Sequence, residues 1–147
     1  MKPLQFIAVT AVMVTGACAT VADEAHPFAT APSSARVTVV TRTSETVTGQ
    51  PLGTPPAPFE TVISVSELPP GGILPMHRHP WPRYAYVERG RLSVTYEAAG
   101  ITREFGPGEA VVEAIDQWHE GRVVGTEPVR LIVLDQLPPG ATNVVVR

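Results

Sequence analysis

Short apolar or alternating runs, separated by proline and glycine, follow one another from residue 59 to the end of the chain. The run ETVISVSEL alternates in the way that is typical of a half-buried strand. Turn signals bound the runs, among them the Pro-Pro-Gly-Gly of residues 69–72. Short strands at regular spacing with such turns predict an all-β sandwich or barrel. The predicted strands are 60–68, 73–79, 84–88, 92–97, 101–105, 110–113, 119–124 and 129–134, with an edge strand in 143–147.

The first 58 residues follow a different pattern. Lys2 precedes an apolar run at 4–14, and small residues follow at 17–19. This order is typical of a cleavable signal peptide, and the run is short for a membrane span. Residues 20–58 are rich in Pro, Thr and Ser, which predicts a flexible leader with a possible edge strand at 36–43. We therefore expect a signal peptide at 1–19, a leader at 20–58 and a barrel at 59–147.

Cys18 is the single cysteine of the chain. In the first interpretation it leaves with the signal peptide, and the protein is secreted or periplasmic. In the second, Thr15-Gly16-Ala17-Cys18 is a lipobox, and a lipidated Cys18 anchors the protein in the bacterial envelope. In both cases the mature domain has no disulfide, so its stability must come from its core.

Composition narrows the function classes. The chain has 147 residues, one domain by length, and 44% hydrophobic residues, which is too apolar for disorder. The formal net charge is −3, and no basic stripe predicts a nucleic-acid partner. The sequence also lacks a C-x-x-C motif and a G-x-S-x-G nucleophile motif. Candidate chemistry therefore centres on the histidines.

Three of the four histidines form a candidate metal site. His77 and His79 are two residues apart, so on a strand both side chains point to one face. His119 can join them if the chain folds back to line the same cavity. Three imidazoles with an open position are a known catalytic metal site, and imidazole binds many divalent ions. The sequence thus predicts a divalent ion, and iron, manganese, nickel, copper and zinc all stay open.

The spacing around these histidines resembles the two motifs of the cupin family. The first motif is G-x5-H-x-H-x3,4-E-x6-G, and the chain matches it with Gly71, His77, His79 and Gly90, but has Arg83 in place of the glutamate. The second motif is G-x5-P-x-G-x2-H-x3-N. Here His119 fits its histidine, Gly-Pro-Gly at 106–108 supplies the preceding turn, and Val123 replaces the asparagine.

The resemblance covers about residues 59–137 and implies a cupin jelly-roll β-barrel. It implies dioxygenase-like or isomerase-like chemistry on a small organic molecule if the protein is an enzyme. A non-enzymatic ligand-binding or sensing barrel is the alternative, and a structural or partner-binding lipoprotein with a vestigial site is a third. The resemblance also allows a homodimer.

Arg83 changes the expectation for the metal site, because cupins usually place a fourth metal ligand there. Arginine is always charged and repels a cation. The histidines can bind metal alone, with Arg83 holding an anionic ligand beside the ion. Another carboxylate, Glu88 or Glu113, can substitute for the glutamate. The third possibility is that the site has lost its metal. Flanking residues Trp81, Tyr84 and Gln117 complete the candidate substrate-binding set with Arg83.

Overall fold

A computed structural model of the protein describes residues 35–147, and its regular structure is entirely β. The strands are β1 (Glu60–Leu68), β2 (Ile73–Arg78), β3 (Arg83–Arg89), β4 (Leu92–Tyr96), β5 (Ile101–Phe105), β6 (Ala110–Val112), β7 (His119–Val123), β8 (Val129–Leu137) and β9 (Val145–Val146). The predicted all-β class is confirmed, and every predicted strand from residue 60 onwards has a counterpart. No helix long and apolar enough to cross a membrane occurs in the described part of the chain.

The strands form two antiparallel sheets with non-consecutive neighbours. One sheet has the order β1-β8-β3-β6, and the other has the order β5-β4-β7-β2-β9. Side chains from both sheets meet in one apolar core, which includes Val87 and Val133 from the first sheet and Val94 and Tyr96 from the second. This arrangement of two antiparallel sheets confirms the predicted jelly-roll β-barrel.

Strand alternation decides which side chains face the interior. In β4, Leu92, Val94 and Tyr96 are buried, and the two residues between them are half-buried. In β8, every second residue from Val129 to Leu137 is buried. Asp135 lies on this buried face among aliphatic neighbours. An inward carboxylate on an apolar strand face needs a partner inside the barrel.

The residues before the barrel contain little regular structure. Residues 36–43, where the sequence allows an edge strand, have no strand. Further on, the Val47 N–H donates to the carbonyl of Val112, and the Gln50 side chain bonds both backbone groups of Ile115. This stretch therefore packs against the barrel. The predicted signal peptide and Cys18 lie outside the described residues.

Candidate metal centre

The three histidines converge inside the barrel. His77 on β2 and His119 on β7 are direct cross-strand partners, and His79 follows the end of β2. The ring centroids are 4.4 Å apart for His77 and His119, and 4.9 Å apart for each pair that includes His79. One ring nitrogen from each lies within 4.8 Å of the others, and all three residues are buried. The structure therefore brings together the three residues that the sequence singles out.

Backbone carbonyls fix the orientation of each imidazole. The Nδ1 atoms of His77, His79 and His119 lie 2.6, 2.6 and 2.8 Å from the carbonyl oxygens of Pro75, Asn143 and Gln117. A carbonyl oxygen only accepts hydrogen bonds, so each Nδ1 carries the proton and donates it. Each Nε2 then carries a lone pair, and that of His79 faces the Arg83 Nη1 at 3.4 Å. This is the tautomer that a metal-binding histidine uses when its second nitrogen is tied to an outer partner.

Burial keeps these imidazoles neutral. Loss of hydration lowers the pKa of His77 and of His119 below the usual value of 6.5. Burial and then the nearby Arg83 charge lower the pKa of His79 to about 2. Neutral imidazole is the form that binds metal ions.

The donor set fits a divalent metal ion. The His119 Nε2 is buried and has no hydrogen-bond partner, so this lone pair is left for a ligand. A buried polar atom without a partner is destabilising by about 1–3 kcal/mol, and such atoms need an explanation. A metal ion bound by the three Nε2 atoms supplies one.

Arg83 lies at the wall of this centre, held by a carboxylate that the sequence analysis does not single out. Its Nε and Nη2 donate to the two carboxylate oxygens of Asp135, at 2.7 and 2.8 Å. The two residues face each other across β3 and β8. The remaining Nη1 lies 3.4 Å from the His79 Nε2. Asp135 thus supplies the buried arginine with a paired counter-charge and fixes its position beside the histidines.

Asn143 connects the arginine pair to the histidines. Its Nδ2 donates to Asp135 at 2.6 Å, its backbone carbonyl accepts from His79, and its Oδ1 accepts the Trp81 N–H at 2.9 Å. This one buried residue therefore orients both His79 and the Arg83–Asp135 pair. In the sequence, Asn143 begins the predicted edge strand at 143–147, and no pattern there indicates a role in the site. The sequence does carry a signal for Asp135, because this carboxylate falls on the apolar face of its strand, where a buried charge needs a partner.

Of the two carboxylates suggested as substitutes for the missing glutamate, only Glu113 lies at the centre. Glu113 is buried, and its Oε2 accepts a hydrogen bond of 2.8 Å from the Tyr96 hydroxyl. The same oxygen is 4.0 Å from the His119 Nε2. Burial raises the pKa of Glu113 above its usual value. Glu88 is exposed and pairs with Arg130.

A cavity of about 280 Å³ opens onto the histidines. Arg83 and Glu113 line it beside the three imidazoles, and most of the remaining wall is aliphatic. The aliphatic and small lining residues include Leu74, Ala85, Leu92, Val94, Leu131, Val133, Val144 and Val146. The arrangement offers a few polar groups in an apolar enclosure, which is typical of a small-molecule site.

The other predicted substrate residues lie around the centre instead of lining this cavity. Tyr84 neighbours Arg83 on β3, so it points to the opposite face, and its hydroxyl lies 3.5 Å from Gln136. Trp81 exchanges backbone hydrogen bonds with the Asn143 side chain and lines a separate shallow pocket. Gln117 contributes its backbone carbonyl to His119, and its side-chain oxygen is buried without a partner. Of the predicted substrate set, Arg83 alone lines the histidine cavity.

Residues 64–135 match the model of the Cupin domain family. These residues form a cupin domain. The cupin match spans β1 from Ser64 through most of β8 and contains all three histidines together with Arg83 and Glu113. No curated protein sequence matches the chain.

Solved structures similar to this chain include an oxalate decarboxylase, a lyase and a polyketide cyclase. An oxalate decarboxylase from Lactobacillus farciminis, in a formate complex, is 23% identical with a TM-score of 0.51, over 58% of this chain and 26% of that one. The lyase DddQ from Ruegeria pomeroyi, which acts on DMSP, is 23% identical with a TM-score of 0.51, over 67% and 46%. The polyketide cyclase RemF from Streptomyces resistomycificus is 31% identical with a TM-score of 0.48, over 59% and 62%. This chain thus covers less than two thirds of each of them.

Proposed function

We propose that this cupin binds a divalent metal ion through the Nε2 atoms of His77, His79 and His119, and acts on a small organic anion. One observation carries the proposal: three buried imidazoles meet with every Nδ1–H donated to a carbonyl, so that every Nε2 carries a lone pair, and the Nε2 of His119 has no partner. A single structural histidine would be satisfied by one hydrogen bond. Three that present lone pairs to one point are best explained by a shared cation.

The metal ion would supply a Lewis acid or an oxygen-binding centre for the chemistry. The residues of this chain would orient the ion and exclude water from the cavity. The histidines stay neutral and oriented, and the aliphatic wall limits the entry of water, which strengthens electrostatic interactions inside the cavity. The cavity of about 280 Å³ suits a small ligand.

Arg83 supports the anionic character of the ligand. Asp135 accepts from two of its nitrogens, and the third, Nη1, lies 3.4 Å from the His79 Nε2 where Arg83 lines the cavity. A guanidinium held by a buried carboxylate is preorganised and gives up little side-chain entropy on binding an anion. Among the structural neighbours, an oxalate decarboxylase in a formate complex and an oxalate oxidase in complex with glycolate also pair this fold with small carboxylates.

The proposed reaction class is dioxygenase or isomerase chemistry, as the cupin resemblance implies. The alternative is a non-enzymatic ligand-binding or sensing barrel, and Arg83 favours it because this residue offers an anion site that needs no metal. Turnover of a bound anion by metal-loaded protein distinguishes the two.

We also propose export to the periplasm or the cell exterior, with lipid anchoring through Cys18 as the alternative. Cell fractionation of the wild type and Cys18→Ser tests this.

Elemental mass spectrometry tests the metal proposal directly. The sample is mature protein purified from its native compartment without a histidine tag, together with His77→Ala, His119→Ala and the control His26→Ala. His26 is the one histidine outside the cluster. We expect near-stoichiometric metal in the wild type and the control, and its loss in both cluster variants, because each removes one of three ligands. Protein that is metal-free and cannot be reloaded with iron, manganese, nickel, copper or zinc would contradict the proposal.

A further inference from the structure

Glu113 is a buried carboxylate that faces the histidines without a cation of its own. It is 8% exposed, and its hydrogen bond comes from the neutral Tyr96 hydroxyl. Arg83, the nearest cation to influence it, is bound through two nitrogens to Asp135. No arginine of the described residues 35–147 lies within ion-pair distance of Glu113. A buried carboxylate that is ionised and has no cation is strongly unfavourable, which is why burial raises the pKa of Glu113.

The His119 Nε2 and the ionised Glu113 carboxylate, which face each other here, are both acceptors. The His119 Nε2 carries a lone pair, because its Nδ1 donates to the Gln117 carbonyl. The Glu113 Oε2, 4.0 Å away, already accepts from Tyr96. Two facing acceptors attract neither each other nor an apolar group. A cation placed between them satisfies the imidazole and the carboxylate together.

The distance is compatible with one shared ion. Bonds of about 2.0–2.2 Å from a metal to nitrogen and oxygen place two adjacent ligand atoms roughly 3.0–3.4 Å apart. The Glu113 oxygen lies 4.0 Å from the His119 Nε2 and outside the group formed by the three histidine nitrogens, so the carboxylate must move towards them to share their ion. The Tyr96 hydroxyl holds the carboxylate from behind, in the way that an outer hydrogen bond orients a metal ligand.

We infer that Glu113 is a metal ligand of this centre and takes over the role that Arg83 cannot fill. The inference rests on the proposed function. Glu113 directly follows β6, which pairs with β3, and its N–H donates to the carbonyl of Arg83 at 2.9 Å. The Glu113 carboxylate therefore reaches the centre from the end of the strand that neighbours β3. The resulting set has three imidazoles and one carboxylate, with Arg83 left free for an anionic ligand.

The test compares Glu113→Gln with the wild type and with Glu88→Gln, which makes the same chemical change at an exposed site. Metal affinity is measured by competition with a chelator, and coordination by the visible absorption of the Co²⁺-loaded proteins. We expect Glu113→Gln to bind metal at least 10-fold more weakly and to change the Co²⁺ spectrum, because a neutral amide replaces an anionic ligand. Glu88→Gln should match the wild type in both measurements.

A second variant, Tyr96→Phe, keeps the carboxylate and removes only its support. We expect Tyr96→Phe to lose less metal affinity than Glu113→Gln does. Its Co²⁺ spectrum should keep the form seen for the wild type, because the carboxylate ligand is still present. Equal affinity and an identical spectrum for folded Glu113→Gln and wild type would overturn the inference and leave the histidine proposal intact. A wild type that binds no metal would overturn the proposed function itself.

Discussion

Arg83 is the residue that most distinguishes this site from the cupin motif. On charge alone, an arginine beside three metal-binding histidines is unfavourable. Asp135 fixes the guanidinium by two hydrogen bonds, while its third nitrogen stays at the cavity and its charge still lowers the pKa of His79. The partner lies 52 residues away in sequence. The chemical role of Arg83 therefore follows from a neighbour that only the pairing of β3 with β8 provides.

At the residue scale, we predict that Arg83 controls anion binding. Small monocarboxylates such as acetate and lactate should raise the melting temperature of the metal-loaded wild type, because they bind the folded state. The variant Arg83→Gln should lose this rise. The double variant Arg83→Gln/Asp135→Asn should also lose it while recovering stability, since it leaves no unpaired buried carboxylate. An unchanged carboxylate effect in both variants would exclude Arg83 as the anion site.

At the element scale, the turn between β3 and β4 joins the two sheets and depends on the last glycine of the first motif. Gly90 has φ +75°, and an added Cβ would lie 2.4 Å from the Pro128 carbonyl oxygen. This close approach sets β3 against the start of β8. Gly100, in the turn between β4 and β5, also has a positive φ of +62°, but no atom lies within 4 Å of an added Cβ there.

The two glycines form a matched pair for a stability test. Gly100→Ala should lower the free energy of unfolding by about 1–2 kcal/mol, the strain of a left-handed conformation with a Cβ. Gly90→Ala should lower it at least twice as much, because it carries the same strain and also a clash with backbone atoms. Chemical denaturation of both variants measures the difference. Equal losses of unfolding free energy would show that the backbone near Pro128 accommodates the added methyl group at no cost in stability.

At the scale of the whole molecule, the buried histidines link folding to pH. Their pKa values lie below 6.5 in the folded state, and that of His79 falls to about 2. Below pH 6.5 the unfolded chain therefore takes up protons that the folded chain does not, so unfolding is favoured as the pH falls. Glu113 acts in the opposite direction. Its raised pKa favours the folded state at low pH, and this contribution is lost as the pH rises above about 4.5.

We predict that the metal-free protein loses stability as the pH falls from 6.5 towards 5, because three histidines outweigh one glutamate. The contribution of His79 alone approaches about 1.4 kcal/mol per pH unit in this range. Denaturation curves at several pH values give the slope, and His79→Ala should show a smaller one. A stability that is constant between pH 5 and 7, or a slope that His79→Ala leaves unchanged, would refute the prediction.

The sequence by itself determined the strands, the barrel and the three histidines. Alternating runs bounded by proline and glycine define strands locally, and the spacing of His77 and His79 puts both on one face of a strand. The position of His119 also follows from its strand and from the second cupin motif. These features depend on local backbone geometry, which is determined by residues that are close together in the sequence.

Only the tertiary structure decided which charged and polar groups surround the histidines. These groups come from four separate parts of the chain. Asp135 lies on β8 and Asn143 in the C-terminal segment. Tyr96 lies on β4, and Glu113 follows the end of β6. Their partners depend on the sheet order β1-β8-β3-β6, in which neighbours in space are distant in sequence. The tertiary structure also points Tyr84 away from the cavity. It buries Glu113 beside the histidines and leaves Glu88 exposed. Periodicity specifies the face on which a side chain lies, but strand register specifies the residue that it meets.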